Sequence, residues 1–200
     1  MDKKIAILSG TALGALILGT AFFVVRGSMV AGACSASVVA GGDIGGPFTL
    51  VSGAGETVTD ADVITGPTLL YFGYTFCPDF CPMDVERNAI TTDILDETGI
   101  DLTPVFVSID PARDTVEVVE DYTNNFHPKM IGLTGSEEQV KAAADEYRVF
   151  YSRADDDPEY YLMNHSVFSY LVTPEDGFID FFKSDDSPQA VADRIACHVG

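Results

Sequence analysis

Tyr71-Phe-Gly-Tyr-Thr-Phe-Cys77-Pro-Asp-Phe-Cys81-Pro-Met-Asp84 is the stretch on which the reading of this 200-residue chain turns. Residues 68–72, immediately after Gly66-Pro67, form a short apolar run of β-branched and aromatic side chains, which predicts a buried strand. Gly73 permits a tight turn. From Pro82 on, Met83, Val85, Ile90, Ile94 and Leu95 follow helical spacing and predict an apolar face. The cysteines therefore stand where a strand hands over to a helix. Amides at a helix N-terminus favour negative charge, so a thiolate is stabilised there, and such a thiolate is both a nucleophile and a soft metal ligand. Spacing of i, i+4 puts both sulfurs on one face of a helical turn, able to close on each other or on a metal. A metal pair, a redox pair and a plain structural disulfide are the three readings of this motif.

Working outward, short strands are expected at 48–50 and 57–58 around the turn Ser52-Gly-Ala-Gly. A second β-branched strand spans 102–109 and runs into Ser108-Ile-Asp110-Pro-Ala-Arg113-Asp114-Thr115, with Asp114 or Thr115 near the cap of a helix over 116–126. A strand at 130–133 follows. Ser136 and Gln139 form a capping box for a helix reaching about Tyr147. A short strand at 149–151, an acidic loop at 154–159, a hairpin of 166–172 with 177–182, and a closing helix over 188–198 with Pro188 in its first turn complete the chain. Alternating strands and helices predict an α/β fold with helices flanking a central sheet, and the last hairpin makes that sheet mixed. A cysteine motif at the end of the first long strand points to a thioredoxin-like fold, with three residues between the cysteines instead of the usual two.

Charge excludes one class of partner. Eleven Lys and Arg stand against 31 Asp and Glu, a formal net charge of −20 and a sequence pI near 4.1. Binding to a phosphate backbone needs a basic face, so no nucleic-acid role is expected. Asp155-Asp156-Asp157 and Asp185-Asp186 lack the ligand spacing of a calcium loop and read as solvated turns.

At the N-terminus, Lys3-Lys4 precedes an uncharged run over 5–25, closed by Arg26. A bilayer takes about 20 apolar residues, so 1–26 reads as a single transmembrane helix oriented N-in, C-out. A cleaved signal peptide is the competing reading, but the run exceeds the usual signal core of about 7–15 residues. Residues 27–44, rich in Gly, Ala, Ser and Val, read as a flexible tether, and the folded domain as 45–200.

His165 lies in Tyr160-Tyr-Leu-Met-Asn-His165-Ser-Val-Phe-Ser, directly before a strand, and is placed on a loop. A lone loop histidine is ordinarily a surface residue. Here His198 is terminal and His127 precedes Pro128, and the loop before the last hairpin faces the cysteine turn in thioredoxin-like folds.

Five segments in this order resemble the Sco/SenC family, the membrane-anchored copper proteins of cytochrome c oxidase assembly. They are Gly45-Gly-Pro-Phe-Thr-Leu, the cysteine stretch, Val107-Ser-Ile-Asp-Pro-Ala-Arg-Asp-Thr, His127-Pro-Lys-Met-Ile-Gly-Leu-Thr-Gly and Asn164-His-Ser-Val-Phe-Ser-Tyr-Leu, and they cover most of 45–198. The resemblance implies Cys77, Cys81 and His165 as ligands of copper, Cu(I) and also Cu(II). Soft thiolates select Cu(I), although the same set holds zinc elsewhere, so residue types alone do not name the metal.

The resemblance implies a chaperone that delivers copper to the binuclear site of oxidase subunit II. The alternative is a thiol–disulfide oxidoreductase, with Cys77 and Cys81 catalytic, that reduces the cysteines of that site. An upstream copper donor or thiol reductant is implied as a second partner. The implied location is the inner (cytoplasmic) membrane, with the soluble domain on the periplasmic side. A peroxiredoxin-like peroxidase, with Thr75 before Cys77, ranks third.

Asp79 reads as a loop carboxylate, Asp110, Arg113 and Asp114 as an ion-pair and capping cluster, and Met83 and Met163 as core filler. Asn164 stands where the family often has Asp, a change that would alter support of the histidine. Cys34 and Cys197 are additional and able to pair outside the cytoplasm.

Overall fold

The computed structural model describes residues 44–157 and 160–200. The expected membrane helix and all of the tether except Ile44 lie outside these residues. No helix among the described residues is long and apolar enough to cross a membrane.

A seven-stranded mixed sheet forms the centre, in the order β2-β1-β5-β4-β3-β8-β9. Its strands are β1 Thr49–Ser52, β2 Thr57–Thr59, β3 Thr68–Gly73, β4 Thr103–Ser108, β5 Ile131–Thr134, β8 Phe168–Thr173 and β9 Gly177–Lys183. β3, β4 and β5 run parallel, while β8 pairs antiparallel to β3, and the β1–β2 hairpin attaches antiparallel to β5. Every residue of β3 is buried, as its unbroken apolar run predicts for a strand covered on both faces. Leu69 joins the cluster of Leu95, Leu171, Phe182, Val191 and Ile195, whereas Leu70 and Phe72 join the larger cluster with Val119, Val140 and Tyr147.

Among the described residues, five helices flank the strands: α1 Asp60–Val63, a single turn that sequence patterning did not reveal, α2 Phe80–Thr98, α3 Val116–Asn124, α4 Glu137–Glu146 and α5 Pro188–Val199. The Ser136–Gln139 capping box forms as expected, and Ser187 caps α5 by accepting from the Ala190 N–H.

Two expectations fail. The first is the apolar face of α2. Val85 and Leu95 are buried, but Met83 and Ile90 are exposed, and Asp84, Arg87, Asn88, Thr91 and Thr92 are buried in their place. This polar face meets polar partners on the β8–β9 hairpin. Arg87 donates to the Lys183 carbonyl and to Ser169 Oγ, Asn88 Nδ2 donates to Ser169 Oγ at 2.9 Å, and Ser184 Oγ donates to Asp84 at 2.7 Å. Thr91 and Thr92 satisfy their hydroxyls on carbonyls one turn back.

The second concerns His165. It does not sit on a loop but ends a short strand, β7 Met163–His165, which pairs with β6 Tyr151–Arg153 in a separate two-stranded sheet with Tyr151 opposite His165. The strand expected at 149–151 forms two residues later as β6, and Met163-Asn-His165 offers no apolar run from which β7 could be read.

Candidate metal centre

β3 and β4 end side by side, Gly73 opposite Ser108, so the loops that follow them lie together at the carboxyl edge of the parallel strands. Ligand sites collect at such edges in α/β sheets. Gly73 is required by close approach: a Cβ there would stand 2.8 Å from Tyr71 Cε1, 3.0 Å from Cys81 Sγ and 3.1 Å from Phe106 Cε2. The cysteine loop then enters α2, which starts two residues earlier than Pro82. Asp79 occupies the N-cap position without a side-chain capping bond. The Cys81 N–H instead donates to Cys77 Sγ at 3.5 Å, so a sulfur takes the place of a capping oxygen.

The third group arrives from β7. His165 Nε2 lies 3.4 Å from Cys81 Sγ. Its Nδ1–H donates to the Ser166 carbonyl at 2.8 Å, which orients the ring and turns Nε2 toward the sulfurs. The ligand atoms of Cys77, Cys81 and His165 all lie within 4.8 Å of one another. Cys81 is fully buried, while Cys77 and His165 are half-buried, so the cluster is open on one side. The rings of Tyr71 and Tyr74 stand edge-on to the imidazole, with centroids at 6.3 and 5.9 Å.

The two sulfurs differ in acidity. A hydrogen bond from Cys81 holds the Cys77 thiol far below the ordinary range against the opposing effect of burial, with His165 and the amides of Asp79 and Cys81 adding to it. The same sulfur–sulfur hydrogen bond, then burial, pushes Cys81 up. Cys77 is therefore the more acidic of the two thiols. Iodoacetamide at about pH 6, well below the ordinary thiol pKa of about 8.5, is expected to alkylate Cys77 and spare Cys81, as read by peptide mass spectrometry. Equal or absent labelling of the two would contradict this split.

Two sulfurs and an imidazole nitrogen, converging at one half-open point, fit a soft, low-coordinate metal ion such as Cu(I). The donor set also suits zinc.

The loop after β4 braces the cysteine turn. Buried Asp114 accepts from the Thr75 N–H at 3.1 Å, Thr75 Oγ at 2.6 Å and Ser108 Oγ at 2.6 Å. It does not cap α3; Thr115 does, accepting from the Val118 N–H. The expected ion pair of Asp110 with Arg113 is present at 2.5 Å. Thr75 spends its hydroxyl on Asp114, which takes it out of the role a peroxidase pocket requires.

Met83 is 57% exposed and is not core filler, whereas Met163 packs against the larger core. Asn164 is exposed and, by alternation along β7, faces away from His165. The Nδ1 partner is the Ser166 carbonyl, so that support does not depend on the side chain at 164. Cys197 is disulfide-bonded, and the pairing considered with Cys34 falls on a residue outside the described ones. Patterning overlooked Asp84, Tyr74 and Tyr161. The i, i+3, i+4, i+7 set Asp84, Arg87, Asn88 and Thr91 was the available signal for the first.

Fold and site together define a thioredoxin-like protein whose cysteine pair is joined by a histidine. The SCO1/SenC family model matches residues 38–200. Protein SenC of Rhodobacter capsulatus is 51% identical over 158 residues, which make up 79% of this chain and 72% of that protein. The crystal structure of Arabidopsis thaliana ScoI with copper bound has a TM-score of 0.74 at 41% identity, covering 78% of this chain and 98% of that one. Yeast Sco1 with copper bound has a TM-score of 0.73 at 35% identity, covering 79% and 89%. The chain belongs to the SCO1/SenC family.

Proposed function

We propose that this chain binds copper through Cys77, Cys81 and His165 and delivers it to the binuclear copper site of cytochrome c oxidase subunit II during oxidase assembly. The carrying observation is the convergence of the three donor atoms within 4.8 Å of one another. Solved relatives with copper bound at 41% and 35% identity support the choice of metal. The half-open arrangement suits cargo that must leave. A partner's ligands reach the ion from the side of Cys77 and His165, and buried Cys81 holds on longest.

The surface around the site supports docking of a protein. Among the exposed large hydrophobics of the described residues, Phe76, Phe80 and Phe150 adjoin the cluster. Phe76 and Phe80 each precede a cysteine, and Phe150 exchanges hydrogen bonds with Ser166, next to His165. Apolar side chains gathered on a strongly acidic surface mark an interaction site. In this reading residues 1–26 anchor the chain in the inner membrane and present the domain 45–200 on the periplasmic side. The uncharged run over 5–25 supports that placement. An upstream copper donor or a thiol reductant then serves the site.

A second reading is favoured by the unequal sulfurs. Half-buried Cys77 as thiolate attacks a disulfide of the target and forms a mixed disulfide. Cys81 then gives up its proton to the departing target thiolate as its sulfur displaces it, which leaves a reduced target and a Cys77–Cys81 disulfide that an external thiol reduces. Histidine separates the two activities.

The test mixes the Cu(I)-loaded chain with the reduced, copper-free soluble domain of subunit II and measures copper on the target after separation. Wild type is expected to transfer copper and His165→Ala is not, while both still reduce an oxidised target. Failure of wild type to transfer, or full transfer by His165→Ala, contradicts delivery through this site.

A further inference from the structure

We propose that Arg113 is a positioning residue for the metal centre: its guanidinium ties the strand that carries His165 to the turn that carries the cysteines. The proposal rests on the reading of Cys77, Cys81 and His165 as metal ligands and adds what sets the distance between them.

The need for a tie follows from the topology. Both cysteines sit on the β3–α2 connection, rooted in the central sheet. His165 arrives 84 residues after Cys81, on a strand whose ladder partner is β6 and which has no ladder bond to the central sheet. Downstream, β8 holds the chain to β9 from Phe168 and to β3 from Ser169. Upstream, the segment leading into β7 is held by side chains, and Arg113 is the hub of that contact. Its terminal NH1 group donates to the Tyr161 carbonyl at 2.8 Å. Its Nε donates to Asp110, whose other oxygen accepts from the Tyr161 hydroxyl at 2.6 Å. Its carbon centre stacks 3.6 Å from the Tyr161 ring, whose companion cation is Arg153 at 3.8 Å.

The other face of the guanidinium belongs to the cysteine side. It lies 4.8 Å from the ring of Phe76, next to Cys77, and 5.8 Å from the ring of Tyr74. Tyr74 in turn accepts from the Met163 N–H through its hydroxyl at 3.2 Å and stands edge-on to His165. The remaining terminal nitrogen, NH2, is buried with no hydrogen-bond partner among these aromatic rings. A planar cation that forks onto a carbonyl and a carboxylate while stacking on rings is a job for arginine, because lysine offers a point charge and no plane. A salt bridge needed only to cap α3 would call for none of the Tyr161 and Phe76 contacts.

The experiment compares the full chain as wild type, Arg113→Lys, Arg113→Met and Ser187→Ala, the last removing a helix cap on α5. Cu(I) affinity is measured against a Cu(I)-specific chelator, and amide hydrogen exchange is measured without metal. Both Arg113 variants are expected to lose roughly 10–100-fold in Cu(I) affinity, the size seen when an outer support of a ligand is removed. They are also expected to accelerate exchange at the Met163 and Ala154 amides. Ser187→Ala changes neither. Tyr161→Phe, which removes only the hydroxyl link to Asp110, is expected to move both readouts the same way by a smaller amount, and it carries the test if the methionine variant does not fold. Arg113 variants with wild-type affinity and wild-type exchange overturn the proposal. Lysine performing as well as arginine overturns the role of the planar fork. A wild type that takes up no Cu(I) overturns the ligand reading itself, and this proposal with it.

Discussion

Cys81→Ser is expected to abolish tight Cu(I) binding, with a loss larger than the roughly 10–100-fold that follows removal of an outer support. Cys81 is fully buried and its sulfur lies 3.4 Å from His165 Nε2, at the inner end of the cluster. Serine keeps the volume close but offers a hard, protonated oxygen where Cu(I) prefers a soft thiolate. Cys77→Ser is expected to have the same effect. It also removes the anion that accepts the Cys81 N–H at the start of α2. His165→Ala leaves two thiolates and is expected to weaken binding less than either serine variant. Chelator competition measures all three, and thermal melts of the metal-free chains show that the fold survives. Cys81→Ser binding Cu(I) as tightly as wild type would remove Cys81 from the site.

Arg87→Met is expected to cost about 3–5 kcal/mol of stability, the usual price of stranding one member of a buried ion pair. Arg87 and Asp84 are 5% and 1% exposed and 3.1 Å apart. Without the guanidinium, Asp84 loses its cationic partner and keeps the Ser184 hydroxyl, while Ser169 and the Lys183 carbonyl lose a donor. The double variant Asp84→Leu/Arg87→Met is expected to lose less than the single one, since no unpaired charge remains. Burial already raises the Asp84 carboxyl above its ordinary value of 3.8, against the pull of Ser184 and Arg87. A raised folded-state value means the folded chain binds a proton more readily than the unfolded one. Stability therefore falls as pH climbs from 3.8 to the raised value. Removing Arg87 widens that window upward, so its cost grows with pH across it. Urea unfolding at several pH values tests both statements. A loss under about 1 kcal/mol would place the pair with surface salt bridges.

What the sequence discloses depends on how local each signal is. β3 and β4 were legible because strands buried on both faces leave continuous apolar runs. The Ser136–Gln139 box was legible because it closes over three residues. The cysteine turn was legible because it joins both patterns. Asp84, Arg87 and Asn88 were not, since their partners Ser169, Lys183 and Ser184 lie 81 to 100 residues away and helical periodicity counts only apolar positions.

Asp114 and Thr115 are equally good caps by type. What separates them is that Asp114 is claimed by Thr75, 39 residues earlier. His165 was singled out by the scarcity of histidine and by family resemblance. Its strand, paired with Tyr151, and its Nδ1 bond to Ser166 emerge only in three dimensions.

The most direct test of the central claim is X-ray absorption at the copper edge of the Cu(I)-loaded chain, wild type beside His165→Ala. The account predicts two sulfur neighbours and one nitrogen neighbour in wild type, and loss of the nitrogen alone in the variant. A wild-type sphere without nitrogen, or one that His165→Ala leaves unchanged, would contradict the assignment of Cys77, Cys81 and His165 as the copper site.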